Sequence, residues 1–155
     1  MGRKILALIG ALVLLTPLLC LASDGVLTVT PADGFHSEAL PGNPFVPASK
    51  SYILRNTGTA PIDWTVTNTS AAFLVSKTAG TLLPGEVVAV TVTVDASYSF
   101  TPGVNCSDTI HFNNTTNTQG NTSRLVDAIV KVVDETGMFY IIPNRKGGGA
   151  VIYLE

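Results

Sequence analysis

Alternating apolar side chains are the feature that most constrains the fold of this chain. The clearest run is VVAVTVTV at residues 87–94, in which all four even-numbered positions are valine. A period of two places these valines on one face of a β-strand and the residues between them on the other. After Ser23 no stretch of ten or more residues carries the 3.6-residue apolar period of a helix. The sequence therefore predicts an all-β fold.

Six further runs of this kind are broken by Gly, Pro, Asn and Asp, which favour turns. With the first run they predict seven strands, at residues 26–30, 50–55, 61–67, 72–76, 87–94, 108–113 and 123–133. About seven strands in about 110 residues are typical of an immunoglobulin-like antiparallel two-sheet sandwich, here residues 25–134. The alternation places Trp64, Ile110 and Phe112 in its core, and Arg124 in the inward phase of the last strand. His36 is assigned to a loop.

The first 22 residues read as a secretory signal peptide. Arg3 and Lys4 precede an uncharged apolar run, and Cys20 and Ala22 supply small residues before a cleavage site. The alternative is an uncleaved anchor, but the run is short for a bilayer and Pro17 interrupts it. We expect a secreted, periplasmic or cell-surface protein of a bacterium, with no membrane segment after cleavage.

The charge of the chain disfavours one class of function, and its cysteine content excludes an internal disulfide after signal cleavage. Only 13% of residues are charged, and without Arg3 and Lys4 the chain has 7 basic and 11 acidic side chains. A net charge of −4 disfavours nucleic-acid binding, which needs a basic surface. Cys106 is then the only cysteine, so no disulfide can form within the chain.

No residue pattern indicates catalysis. Cys106 and His111 are five residues apart, so strand alternation points them to opposite faces. Asp134 and Glu135 read as a solvated turn, and the Gly-rich residues 145–149 lack the strand-to-helix context of a phosphate loop. We expect no enzymatic activity, no cofactor and no metal site.

A family resemblance rests on motifs in a fixed order. They are LTVTPADGF (27–35), YILRNTG (52–58), WTV (64–66), GTLLPGE (80–86), VTVTV (90–94) and DTIHFNN (108–114). In this order residues 27–133 resemble the BACON-type immunoglobulin-like domains of secreted bacterial proteins. Phe73 stands where such domains often have Trp. The resemblance implies an exported, non-catalytic module, and the family name records a proposed carbohydrate-binding role.

Two loops supply candidate ligand-binding residues. Tyr98 and Phe100 are candidate exposed aromatics, with a loop folded over the open end of the sandwich as the alternative. The Asn/Thr-rich loop could hydrogen-bond sugar hydroxyls, or it could simply be a solvated connection. Its candidate residues are Asn113, Asn114, Asn117 and Asn121. A glycan binder of this kind should bring the aromatics and the amides together at one end of the sandwich.

Residues 138–155 read as a C-terminal β-hairpin. Apolar runs at Phe139–Ile142 and Ala150–Leu154 flank a Gly-rich tip. Because an isolated hairpin is marginal in water, this one should dock on the sandwich or pair with another subunit, unless it is the start of a further domain. Two functions follow: a binding or adhesion module, with glycans or another surface protein as partner, and a structural or assembly protein that forms a homo-oligomer through Phe139–Leu154.

Overall fold

The computed structural model describes residues 24–133, 139–140 and 151–152. These residues form strands and turns and no helix. No helix in this part of the chain is therefore long and apolar enough to cross a membrane. The predicted signal peptide at residues 1–22 lies outside the described residues.

Nine strands build two sheets, and three two-residue strands follow them. Their bounds are β1 (Leu27–Thr30), β2 (Phe35–Ala39), β3 (Ser49–Asn56), β4 (Ile62–Thr67), β5 (Phe73–Val75), β6 (Ala79–Leu82), β7 (Val87–Val94), β8 (Asn105–Asn114), β9 (Thr122–Val130), β10 (Val132–Val133), β11 (Phe139–Tyr140) and β12 (Val151–Ile152). The all-β prediction is confirmed.

The two large sheets have the orders β1-β3-β7-β5 and β2-β9-β8-β4-β6. All pairs in them are antiparallel except β2 with β9, which run parallel. The chain crosses between the sheets after β1, so β1 and β2 form edges of different sheets. This arrangement is a two-sheet immunoglobulin-like sandwich.

The core lies between the inner faces of the two sheets. Val90 and Val92 of β7 and Ile110 and Phe112 of β8 are completely buried, as their alternation predicts. The ring of Tyr52 meets that of Phe112 edge to face, with centroids 5.4 Å apart. Trp64 is buried in the same cluster, so the prediction that it fills the core is also confirmed.

Arg124 closes one side of the sandwich. It is only 7% exposed, and its guanidinium donates from Nη2 to Val29 O at 2.8 Å and from Nε to Pro31 O at 2.9 Å. Its Nη1 donates to Thr122 Oγ1 and to Ser123 O. These bonds satisfy carbonyls along the edge of β1, and they explain why a cation occupies an inward position of β9.

Two strands were not predicted from the sequence. Residues 35–39 form β2, with His36 on a strand rather than in a loop, because they pair with β9 along their whole length. Residues 79–82 form β6, whose first three residues are small and exposed and give no alternating pattern. The last predicted strand ends at Val130 instead of Val133, since Lys131 separates β9 from β10.

Candidate functional site

Tyr98 and Phe100 belong to the connection between β7 and β8. Asp95 shapes this loop by accepting hydrogen bonds from the Ser97 amide and hydroxyl, and these bonds lower the pKa of the Asp95 carboxyl. The Phe100 ring packs on Phe45 at a centroid distance of 4.7 Å and on Tyr98 at 5.0 Å. Phe100 is half-buried and Tyr98 is 39% exposed. The loop therefore covers the end of the sandwich and still presents one ring to solvent.

These three rings line an open groove of about 520 Å³. Its other walls come from the end of β2 and the turn after it, from the last residue of β9, and from Pro102. The lining side chains are Ala39, Leu40, Pro41, Asn43, Phe45, Ala96, Tyr98, Ser99, Phe100, Pro102 and Val130, with Gly42 in the turn. None of them is charged, so the groove suits an uncharged ligand.

Phe45 was not among the residues predicted for this site. It sits in the segment 43–47, where Pro44 and Pro47 flank it. An aromatic residue between two prolines cannot pack within a regular strand ladder, and this was the available signal that Phe45 serves a loop surface.

Most candidate amides of the Asn-rich loop hold the loop together. Asn114 is completely buried, and its Nδ2 donates to Asn117 Oδ1 at 2.6 Å and to Gln119 O at 3.0 Å. Asn117 Nδ2 donates to Gly25 O, and the backbone N–H of Asn114 donates to Asn121 Oδ1. Asn113 lies apart from this network, on the outer face of β8 in register with Thr65.

The aromatics and the amides lie at opposite ends of the sandwich. Residues 95–104 precede β8 and residues 115–121 follow it, so the full length of β8 separates them. Asn105 to Asn114 spans about 30 Å at about 3.4 Å per residue. The expectation of one combined site was therefore wrong.

A polar cluster on the outer face joins β2 to β9. The His36 ring lies 2.5 Å from Asp127 Oδ2 through Nδ1 and 3.1 Å from Glu38 Oε1 through Nε2. Glu38 also pairs with Lys131. Hydrogen bonds to Glu38 and then to Asp127 raise the pKa of His36, while those from Lys131 and His36 lower the pKa of Glu38. In its protonated form His36 binds both carboxylates at once.

The remaining polar groups offer no catalytic arrangement within the described residues. Cys106 is half-buried and packs against the core, whereas His111 is exposed on the other face of β8. Asp108 is engaged by the Thr69 and Ser70 amides and the Thr69 hydroxyl. No three His, Cys, Asp or Glu side chains in this part of the chain are placed to hold a metal ion.

The chain after β9, which we call the C-terminal extension, forms a sheet of its own in its described strands β10, β11 and β12. Val132 pairs with Tyr140 and Val133 with Phe139, and β11 pairs in turn with β12. All pairs are antiparallel, and the order is β10-β11-β12. The rest of the predicted hairpin, residues 138, 141–150 and 153–155, lies outside the described residues, so the complete hairpin stays a prediction.

No family model and no curated protein sequence matches the chain. The resemblance to BACON-type domains therefore stays a prediction.

Solved structures share its fold. One is the CsuC–CsuE chaperone–tip adhesion subunit pre-assembly complex from the archaic chaperone-usher Csu pili of Acinetobacter baumannii. It is 13% identical with a TM-score of 0.53, and the match covers 80% of this chain and 68% of that one. Another is the ASH/PapD-like domain 7 of human CEP192, 13% identical with a TM-score of 0.51 over 86% of this chain and 99% of that domain. The described residues thus share the immunoglobulin-like sandwich fold of these two structures.

Proposed function

We propose that this chain is an exported, non-catalytic assembly module that joins a neighbouring subunit through its C-terminal extension. The observation that carries the proposal is the separate sheet β10-β11-β12, which continues from the end of β9 but belongs to neither large sheet. Strands of two residues bury little surface and make few hydrogen bonds, so such a sheet is marginal alone. Pairing with another subunit would supply the missing contacts.

The fold comparison supports the same function. The Acinetobacter baumannii structure is a complex between a chaperone and an adhesion subunit, so in that case the fold takes part in subunit assembly. The predicted signal peptide would direct this chain to the periplasm or the cell surface. The net charge of −4 after cleavage favours solubility there.

Removal of the extension tests this proposal. Residues 23–155 are compared with a variant that ends at Asp134, by light scattering after size exclusion under reducing conditions, which prevents a Cys106 disulfide. We expect the longer chain to be an oligomer and the shorter one a folded monomer. If both are folded monomers at every concentration, the extension does not mediate self-assembly. If a pull-down with residues 23–155 then also recovers no partner that the shorter chain fails to bind, the proposal is wrong.

A second candidate function is favoured by the groove at the other candidate site. Three aromatic rings and no charged side chain line it, and sugars bind surfaces of this kind by placing their C–H faces on an aromatic ring. A glycan screen tests this candidate with wild type and Tyr98→Ala, and with Leu125→Ala as control, since Leu125 is 62% exposed and lies outside the groove. Binding that Tyr98→Ala abolishes and Leu125→Ala preserves would support it, and absence of binding to any glycan would exclude it.

A further inference from the structure

We infer that the edge strand β6 receives strand β12 of a second copy of this chain, so that copies join head to tail. The inference rests on the proposed function and names the partner and the receiving surface. At each edge of the two large sheets, outward-facing backbone groups need hydrogen-bond partners, and an edge that lacks them can receive a further strand.

The edge of β1 is closed. The Leu27 amide donates to Gln119 O at 3.1 Å, and the Arg124 guanidinium satisfies Val29 O and Pro31 O. Gly120 packs so tightly on this strand that a Cβ there would lie 1.8 Å from Leu27 O. No further strand can pair along this edge without displacing Arg124 and the loop.

The edges of β2 and β5 are largely covered as well. Along β2, Glu38 and Val46 exchange two backbone hydrogen bonds, and Ser37 Oγ donates to Pro47 O. Along β5, which has only three residues, the Phe73 carbonyl accepts from Asn68 Nδ2 and the Phe73 amide donates to Ser70 O. Each of these edges is covered by the chain segment next to it in sequence.

The edge of β6 is open. The Val66 amide donates to Thr78 O at 2.8 Å, and hydrogen-bonded pairs alternate along an antiparallel ladder. Gly80 and Leu82 therefore point their backbone groups towards β4, while Ala79 and Thr81 point theirs away from it. These outward amides and carbonyls have no hydrogen-bond partner among the described residues. Among the described residues, β6 is thus the edge that offers two outward-facing residues, Ala79 and Thr81, to an incoming strand.

The side chains of β6 let a partner approach closely. Ala79, Gly80 and Thr81 are small and exposed. Gly80 faces the Trp64 ring, and a Cβ at Gly80 would lie 2.9 Å from Trp64 Cζ2. Trp64 Nε1 is buried beside it with no hydrogen-bond partner in the described part of the chain. Because Trp64 is the only tryptophan, its indole reports on this edge alone.

Strand β6 lies too far from β12 of its own chain to pair with it, so the partner strand comes from another copy. Gly80 pairs with Trp64, and Trp64 pairs with Asn114 at the far end of β8. The extension instead starts beyond Val130, beside the other end of β8. About 30 Å separates the two ends at about 3.4 Å per residue. Since β12 is held to β10 through β11, it lies at the end away from β6 of its own chain.

Strand β12 is the complementary edge. It is the outer strand of its sheet, paired on one side with β11. Its residues Val151 and Ile152 are β-branched and suit strand pairing. Contact between β12 of one copy and β6 of the next uses two different surfaces, so it builds an open series of copies, or a closed ring where the rotation between copies closes.

The test uses the full mature chain with proline on the open edge. Ala79→Pro removes an outward amide, and proline is tolerated on an edge strand whose N–H faces solvent. Ala79→Ser is the control because it keeps the amide and the small size. Thr81→Pro and its control Thr81→Val form a second pair, in which both variants lose the Thr81 hydroxyl bond to Asp63. Trp64 fluorescence confirms folding, and light scattering across concentrations gives the mass.

We expect both proline variants to be folded monomers at concentrations where wild type and both controls self-associate. We also expect the indole N–H resonance of Trp64 to shift with concentration in wild type and to stay constant in Ala79→Pro. If a folded proline variant self-associates as wild type does, β6 is not the receiving edge, although assembly through the extension would stand. If wild type is a monomer at every concentration, both the inference and self-assembly fail.

Discussion

Replacing Arg124 with methionine should destabilise the sandwich far more than a surface substitution would. Methionine fills a similar volume but donates no hydrogen bond, so Val29 O and Pro31 O lose the guanidinium that satisfies them. A buried acceptor left without a partner costs about 1–3 kcal/mol. Two such acceptors cost about 2–6 kcal/mol. Methionine also removes the cost of burying a cation, so we expect the free energy of unfolding to fall by about 2–4 kcal/mol.

The loss can be measured by urea unfolding, with Trp64 fluorescence as the probe. A loss of this size corresponds to a fall in Tm of about 8–16 °C for a domain of about 110 residues. Arg124→Lys should fall between wild type and Arg124→Met, because one ammonium group cannot reproduce the planar fork that reaches both carbonyls. If Arg124→Met changes the free energy of unfolding by less than about 0.5 kcal/mol, Arg124 does not secure the edge of β1.

Three further predictions concern stability. Gly120→Ala should destabilise more than Gly85→Ala, since both glycines have φ of 81° but only Gly120 would place a Cβ against Leu27 O; thermal melts of both variants measure the difference. His36 has a raised pKa, so its stabilisation is complete below pH 6.5 and is lost as pH rises through the folded pKa. Wild type should therefore lose stability relative to His36→Gln as the pH rises above 6.5 in urea titrations, and parallel curves would contradict this. For Asp108, burial raises the pKa, but hydrogen bonds from Ser70, Thr109 and Thr69 outweigh it and lower the pKa overall. Asp108→Asn should cost about 1–2 kcal/mol at neutral pH, and the difference should shrink as pH falls below 3.8, measured by chemical unfolding at each pH.

The parts of the fold that follow from local pattern were predictable. The alternation in β7 and β8 and the phase of Trp64 determine the core, because a buried face requires an apolar residue at every second position. Strands β2 and β6 carry no such signal. β2 exists because β9 offers it a parallel partner, and β6 is an exposed edge of small residues, so both depend on tertiary contacts rather than on propensity.

The sites were less predictable for two different reasons. Asn114 is a polar residue in a polar loop, and only the folded loop reveals that its amide is buried and fully used. The separation of Tyr98 from the Asn-rich loop could have been deduced, since two loops that flank one strand must lie at its opposite ends. The open edge at β6 has no sequence signal at all, because it is defined by hydrogen bonds that other edges make and β6 lacks.

Sedimentation velocity of residues 23–155 over a wide range of concentrations, under reducing conditions, tests the assembly function most directly. Head-to-tail pairing of β12 with β6 leaves a free β6 at one end and a free β12 at the other end of every open complex, and it uses both strands of every copy in a closed ring. We therefore expect species of more than one chain mass whose share grows with concentration, either as an open series or as one closed ring. A monomer at every concentration would contradict head-to-tail assembly through the extension.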